Sequence, residues 1–140
     1  MFDYLIKNGQ LIDGTGSPAR RADVGITDGK IAAIGDLSAA QAGTVIDAAG
    51  KTVTPGFIDI HRHADAALFR HGFGELELKQ GLTTIVNGNC GLSVTPCSGP
   101  YRGEIEAYLT PVTGELPADA DCSSMQAYLD AARRQPSPIH

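Results

Sequence analysis

The sequence has no long run of basic residues. Its 140 residues include 11 lysines and arginines against 16 aspartates and glutamates, which gives a formal net charge of -5. The largest basic groups are the pairs Arg20–Arg21 and Arg133–Arg134. Nucleic-acid-binding surfaces need more clustered positive charge than this. We therefore expect no nucleic-acid partner.

Long apolar segments are also missing. No stretch approaches the about 20 apolar residues that span a bilayer. The first residues, MFDYLIKNG, lack the basic segment and apolar stretch of a signal peptide. The chain has three cysteines, Cys90, Cys97 and Cys122. An odd number cannot all pair within the chain, and a chain without an export signal is not expected to carry a disulfide framework. We expect no membrane association, reduced thiols and a cytoplasmic location.

The composition is that of a globular protein, with 42% hydrophobic and 19% charged residues. Residues 1–54 show short apolar runs separated by turn dipeptides and no helical periodicity. Asn8–Gly9 and Asp28–Gly29 accept positive φ and favour tight hairpins, and Ala49–Gly50 suggests a third turn. This segment is predicted to form a small antiparallel sheet without catalytic residues.

The pattern changes after Pro55–Gly56. FIDIHRH is nearly continuous in apolar residues and predicts a strand buried on both faces. GELELKQG predicts a helix that ends at Gly81, and LTTIVNGNCG predicts a second strand. Strand, helix and strand in this order predict a parallel pair.

Two more helices are predicted towards the C-terminus, one near RGEIEAYL and one in SSMQAYLDAARR. Ser123 or Ser124 can cap the second helix. The final SPIH predicts the start of a third strand. The apolar stripe of the second helix is predicted to consist of Met125, Tyr128, Leu129 and Ala132.

Two histidines follow the first predicted strand of this region. Side chains alternate along a strand, so Asp59, His61 and His63 are predicted to share one face at its carboxyl end. Imidazoles two residues apart can bind one metal ion, and parallel α/β proteins build their sites at this end of the strands. The spacing alone fits a pair of surface histidines equally well.

Cys90 follows the second predicted strand. A lone cysteine is most often a buried hydrophobic residue. At the carboxyl end of an adjacent strand, however, its thiolate would be a strong zinc ligand. Gly88 and Gly91 would let the backbone approach a metal closely.

The motifs PGFIDIHRHAD and GLTTIVNGNCG resemble the amidohydrolase superfamily, and the GNCG of the second is similar to the N-acyl-D-amino-acid deacylase family. The resemblance extends from Asp3 to about Gly91. It implies an α/β fold in which residues 1–54 belong to a small β-sandwich and residues 55–140 form the first strands and helices of a metal-dependent (β/α)₈ barrel. It also implies that His61, His63 and Cys90 bind zinc, with Cys90 in the place of the carbamylated lysine of other branches.

The activity implied by the resemblance is hydrolysis of the linear amide bond of N-acyl-D-amino acids, which are small-molecule substrates. A complete barrel takes about 250 residues, so its later strands are expected downstream. The resemblance implies that those strands carry the catalytic aspartate and two further histidines. We expect this chain alone to be inactive, and to self-associate or pair with the rest of the barrel. Asp65 stands where other branches carry a substrate-binding arginine.

Two alternatives stay open. One is another metal-dependent amidohydrolase, either a cyclic amidase or a deaminase, which would not require Cys90. The other is a non-catalytic fragment that assembles with a second chain.

Overall fold

The computed structural model describes residues 1–140. The chain divides into two compact units, Met1–Pro55 and Gly56–His140. None of its helices has the length and apolar character that crossing a membrane would require.

The first unit consists of two sheets. A four-stranded sheet has the order β5-β4-β1-β6, and a three-stranded sheet has the order β3-β2-β7. Leu5 is fully buried, and a second core cluster forms around Leu11, Ala22 and Val24. The strands are β1 (Phe2–Lys7), β2 (Gln10–Leu11), β3 (Arg20–Arg21), β4 (Asp23–Thr27), β5 (Lys30–Gly35), β6 (Ala42–Asp47) and β7 (Thr52–Val53).

The prediction of one antiparallel sheet is wrong. β1 pairs with β6 in parallel, and β2 pairs with β7 in parallel. The predicted hairpin at Asn8–Gly9 is also wrong, because β1 and β2 belong to different sheets. Asn8 does adopt a positive φ of 64°, but its backbone N–H and its side-chain amide donate to Asp23 and Asp47. These bonds direct the chain from one sheet to the other.

The two other predicted turns are confirmed. Asp28 and Gly29 both have positive φ, 51° and 69°, and they join the antiparallel pair β4–β5. Gly50 has a φ of 73°, and the Lys51 N–H closes this turn on the Ala48 carbonyl at 2.9 Å.

The second unit is built around a two-stranded sheet. The parallel pairing of β8 and β9 confirms the predicted strand–helix–strand unit. Gly81, at a φ of 83°, follows the first helix as predicted. The elements are β8 (Phe57–Asp59), α1 (Glu75–Lys79), β9 (Leu82–Ile85), α2 (Arg102–Thr113) and α3 (Met125–Ala132), with short 3₁₀ turns at Ala67–Phe69 and Asn89–Gly91.

The prediction of a strand through His63 that is buried on both faces is wrong. β8 ends at Asp59, and Phe57, Ile58 and Ile60 are more than half exposed. A sheet of two strands offers too little surface to cover both faces of β8. The last residue lies along the other edge of β9, as a third strand would: the His140 N–H donates to Thr83 at 2.9 Å, and the Ile85 N–H donates to His140 at 2.8 Å.

Helix α3 begins as predicted, with the Ser124 hydroxyl accepting the Ala127 N–H at 3.1 Å. Its predicted apolar stripe is only partly buried. Tyr128 packs in the core cluster of this unit, whereas Met125 and Leu129 are exposed. The buried residues of the helix are Tyr128 and Ala131.

Candidate metal centre

The site is built where two parallel strands end. Because β8 and β9 run in parallel, their carboxyl ends meet at the same edge of the sheet. His61 and His63 follow β8, and Cys90 follows β9 within the turn Asn89–Gly91. The Arg62 N–H donates to the Val86 carbonyl at 3.0 Å and joins the two segments just beyond the strands.

The structure brings His61, His63 and Cys90 together. One potential ligand atom from each residue lies within 4.8 Å of the other two. The Cys90 Sγ is 3.1 Å from the His61 Nε2, and the two share a hydrogen bond. The imidazole rings of His61 and His63 stand edge to face, with centroids 5.3 Å apart. The predicted strand geometry did not produce this cluster, since both histidines lie on a loop.

Cys90 has a strained backbone. Its φ and ψ are 60° and 15°, the left-handed region that side-chain-bearing residues seldom adopt. Gly88 and Gly91, at φ 81° and 70°, lie on either side of it. Such a conformation costs about 1–3 kcal/mol and persists only where surrounding contacts impose it, as at many functional sites.

Cys90 is exposed, whereas Cys97 and Cys122 are buried, and all three thiols are free. The common alternative for a lone cysteine, a buried hydrophobic residue, therefore describes Cys97 and Cys122 and not Cys90. An accessible thiol beside an imidazole is suited to binding a soft or borderline metal ion.

His63 carries an unpaired polar atom. Its Nδ1 is buried and has no hydrogen-bond partner, although buried polar atoms are nearly always satisfied. Two imidazoles and a thiolate are typical zinc donors, and catalytic zinc sites have three protein ligands and one further position. The donor set thus fits a zinc ion.

Two acidic residues near the histidines lie outside the cluster. Asp59 accepts the His61 N–H at 3.2 Å and lies 3.6 Å from the Arg62 guanidinium, so it holds the backbone of a candidate ligand. Asp65 is only 2% exposed, so solvent has almost no access to its side chain. One Asp65 oxygen accepts the Ser93 hydroxyl at 3.3 Å, and the other has no partner. Burial raises the pKa of this carboxyl above its usual range.

The asparagines that precede Cys90 bond to the loop backbone. Asn87 accepts the Ala64 N–H at 3.1 Å through its side-chain oxygen. Asn89 donates to the Val86 carbonyl at 2.9 Å. Ser93 was not identified from the sequence, because no sequence signal separates this serine from others in a loop rich in Ser, Thr, Gly and Pro.

Known proteins share this sequence and fold. The amidohydrolase family model matches residues 44–134. The N-acyl-D-glutamate deacylase of Alcaligenes xylosoxydans xylosoxydans is 46% identical over 131 residues, which cover 94% of this chain and 26% of that protein. The D-aminoacylase of the same organism is 52% identical over 95 residues, which cover 68% of this chain and 20% of that protein.

A solved structure matches over nearly the whole chain. It is the N-acyl-D-glutamate deacylase of Bordetella bronchiseptica, complexed with zinc and a phosphonate inhibitor that mimics the tetrahedral intermediate. The TM-score is 0.87 at 43% identity, and the match covers 99% of this chain and 28% of that one. The chain spans about a quarter of the length of such relatives. The resemblance to deacylases expected from the two motifs is confirmed, and the chain belongs to the amidohydrolase family.

Proposed function

We propose that this chain is part of a zinc-dependent amidohydrolase that hydrolyses the amide bond of N-acyl-D-amino acids. The observation that carries the proposal is the convergence of His61, His63 and Cys90 within 4.8 Å. The 46% identity to an N-acyl-D-glutamate deacylase supports this substrate class.

The proposed architecture of the complete protein is a metal-bearing (β/α)₈ barrel with a small β-sandwich. Residues 55–140 would supply the first strands and helices of the barrel, and residues 1–54 part of the sandwich. The exposed apolar side chains of β8 support this arrangement, since they would be covered once neighbouring barrel strands were present. The hydrogen bonds of His140 along β9 have the direction that a third parallel strand needs.

His61, His63 and Cys90 would hold the zinc ion. Zinc bound there would supply the Lewis acidity that amide hydrolysis requires at neutral pH. Cys90 is exposed and can face a substrate, while Asp59 fixes the backbone of His61. No carboxylate belongs to the cluster, and Asp65 is buried. The group that moves the proton to the leaving amine must therefore come from another part of the complete protein.

The expected partners are a small N-acyl amino acid and the rest of the barrel. The alternative of a cyclic amidase or deaminase would need the two histidines but not the thiol. The short contact between Cys90 and His61 therefore favours the deacylase. The cytoplasmic location stays a prediction that rests on the three free cysteines.

Activity of the full-length protein tests the proposal. After metal removal and zinc addition, we expect amine release from N-acetyl-D-amino acids and not from the L enantiomers. Chelation or Cys90→Ala should abolish this release. His71→Ala is the matched control, because His71 is exposed and outside the cluster. Undiminished hydrolysis by Cys90→Ala, or a preference for cyclic amides, would contradict the proposal.

A further inference from the structure

Side-chain hydrogen bonds join the loop that carries the histidines to the loop that carries the cysteine. Asn87 accepts the Ala64 N–H at 3.1 Å, and Ser93 donates its hydroxyl to Asp65 at 3.3 Å. Asn87 lies three residues before Cys90, and Ser93 lies three residues after it. The two bonds thus hold the cysteine loop at both of its ends, against the residues that directly follow His63.

Asp65, which accepts the hydrogen bond from Ser93, is itself held in place by further contacts. The carboxylate is 2% exposed, and the backbone carbonyl of Asp65 accepts the Tyr128 hydroxyl at 3.2 Å. Tyr128 lies in helix α3 and belongs to the core of the unit. The Ser93 hydroxyl also accepts the Thr95 N–H at 3.3 Å. One end of the cysteine loop is therefore attached, through Asp65, to helix α3.

Cys90 needs such support for two reasons. Its left-handed backbone conformation is unfavourable for a residue with a side chain, so a free loop would relax away from it. Glycines on both sides leave the loop little stiffness of its own. The position of the thiol relative to the two imidazoles must therefore be imposed from outside the loop.

We propose that Asp65, Ser93 and Asn87 form a clamp that positions Cys90 for metal binding. The clamp is the pair of bonds Ser93–Asp65 and Asn87–Ala64. It sets the separation between the thiol and the imidazoles before the metal arrives, which lowers the ordering that binding must impose. The inference rests on the proposed zinc site. It assigns positioning roles to three residues that do not themselves bind the metal.

Zinc affinity tests the clamp. The purified full-length protein is stripped of metal and titrated with zinc in competition with a chromophoric chelator. Ser93→Ala removes the hydroxyl and a small volume only, so the fold should survive. We expect it to weaken zinc binding by about 10- to 100-fold, the usual cost of losing a residue that orients a metal ligand. Ser93→Thr keeps the hydroxyl and should restore affinity. Asn87→Ala tests the opposite end of the loop and should weaken binding similarly.

The control must separate positioning from stability. Ser124→Ala deletes another serine hydroxyl bonded to a backbone N–H, at the start of α3. It should lower the melting temperature while leaving zinc affinity unchanged. Cobalt(II) substitution gives a second readout, because the thiolate-to-cobalt charge-transfer band depends on sulfur geometry; Ser93→Ala should weaken or shift it.

The outcomes separate the clamp from the metal site. Wild-type protein that binds no zinc would overturn the proposed function, and the clamp with it. Zinc binding by wild type, together with unchanged affinity and an unchanged cobalt spectrum in both Ser93→Ala and Asn87→Ala, would overturn the clamp and leave the metal site standing. If Ser93→Ala unfolds, Asn87→Ala decides the matter: weakened zinc binding supports the clamp, and wild-type affinity with an unchanged cobalt spectrum overturns it.

Discussion

The Cys90 Sγ lies 3.1 Å from the His61 Nε2, although 29 residues separate the two positions in the sequence. The contact exists because β8 and β9 are parallel neighbours, so the loops that follow them begin at the same edge of the sheet. A thiol and an imidazole in hydrogen-bond contact can exchange their shared proton for a metal ion. The part that each residue plays in metal binding can therefore be tested by a single substitution.

The first prediction concerns metal binding. Cys90→Ser, His61→Ala and His63→Ala should each weaken zinc binding by at least about 100-fold, because each removes one of three donors. Chelator competition measures the affinity, and loss of the cobalt–thiolate band in Cys90→Ser identifies the sulfur as a ligand. His71→Ala should bind like wild type. Full affinity in Cys90→Ser would assign the metal to other donors.

The second prediction concerns backbone strain at Cys90. In metal-free protein, Cys90→Gly should be more stable than Cys90→Ala by about 1 kcal/mol, because glycine adopts positive φ without a steric penalty. Both variants lack the thiol, so the comparison isolates the backbone conformation. Urea denaturation of the two variants gives the free-energy difference. Equal stabilities would mean that the loop relaxes out of the left-handed conformation once the sulfur is removed.

The identity of the candidate ligands and the parallel strands that bring them to one edge of the sheet could be predicted from the sequence, but the loop geometry that unites the ligands could not. Two strand ends can be identified from the sequence. HRH follows the first apolar run, and Cys90, flanked by Gly88 and Gly91, follows the second. Strand alternation then placed His61 and His63 on one face of a strand that in fact ends at Asp59. Loop hydrogen bonds such as Arg62 to Val86 bring the histidines to Cys90, and no local sequence pattern encodes such bonds.

Sheet pairing shows the same limit. Asp28–Gly29 produced the predicted hairpin, in which β4 and β5 pair antiparallel. Asn8–Gly9 has equally favourable turn chemistry, yet long-range bonds from Asn8 to Asp23 and Asp47 direct β2 into a different sheet. Ser93 was not predicted for a related reason, since its hydrogen-bond partner Asp65 is 28 residues away in the sequence. Short-range preferences determine turns, and contacts distant in sequence determine topology.

The third prediction concerns the close approach of Gly56 to β9. A methyl group added at Gly56 would lie 2.7 Å from the Thr83 Cβ, far inside van der Waals contact. Gly56→Ala should therefore destabilise the fold by about 1–3 kcal/mol, the usual cost of overpacking. Thr83→Ala alone should cost less, and the double variant Gly56→Ala/Thr83→Ala should recover part of the loss. Thermal melts of the three variants check this coupling. Strictly additive effects would show that the two positions are not in contact.

The fourth prediction concerns alkaline stability. Burial raises the pKa of Tyr128 and of Cys122 above their ordinary values. As the pH rises, these groups ionise in the unfolded chain before they ionise in the folded protein. Their contribution to the free energy of unfolding is therefore fully present below about pH 9 and falls as the pH rises further. Tyr128→Phe should make the fall above about pH 10 shallower by about 1.4 kcal/mol per pH unit.

At neutral pH the same variant is expected to lower the stability of the fold. Tyr128→Phe loses the hydrogen bond to the Asp65 carbonyl, which should cost about 1 kcal/mol. Tyr108→Phe is the control, because Tyr108 is 73% exposed and should change neither quantity. Denaturant melts between pH 7 and pH 11 give both numbers. An unchanged alkaline slope in Tyr128→Phe would show that the phenol ionises as readily in the folded protein as in the unfolded chain.

The fifth prediction is that residues 1–140 alone bind zinc but do not hydrolyse N-acyl-D-amino acids. The three candidate ligands are all present, so metal binding should persist. The carboxylates near them are engaged elsewhere: Asp59 with the His61 backbone and Arg62, and Asp65 in the protein interior. Absence of a proton-transfer group alone costs about 10²–10⁴ in rate, and absent pocket walls remove substrate positioning as well.

Amine release measured side by side for residues 1–140 and for the full-length protein decides this prediction. Turnover by the short chain that disappears in Cys90→Ala would prove it wrong, since it would show that these residues suffice for the chemistry. Adding the separately produced remainder of the protein tests the assembly alternative. Turnover that appears only in the mixture would mean that the unpaired edge of β8, a strand with the exposed side chains Phe57 and Ile58, pairs productively with a second chain. Turnover by the single full-length chain alone would mean that the barrel forms only when its strands are covalently joined.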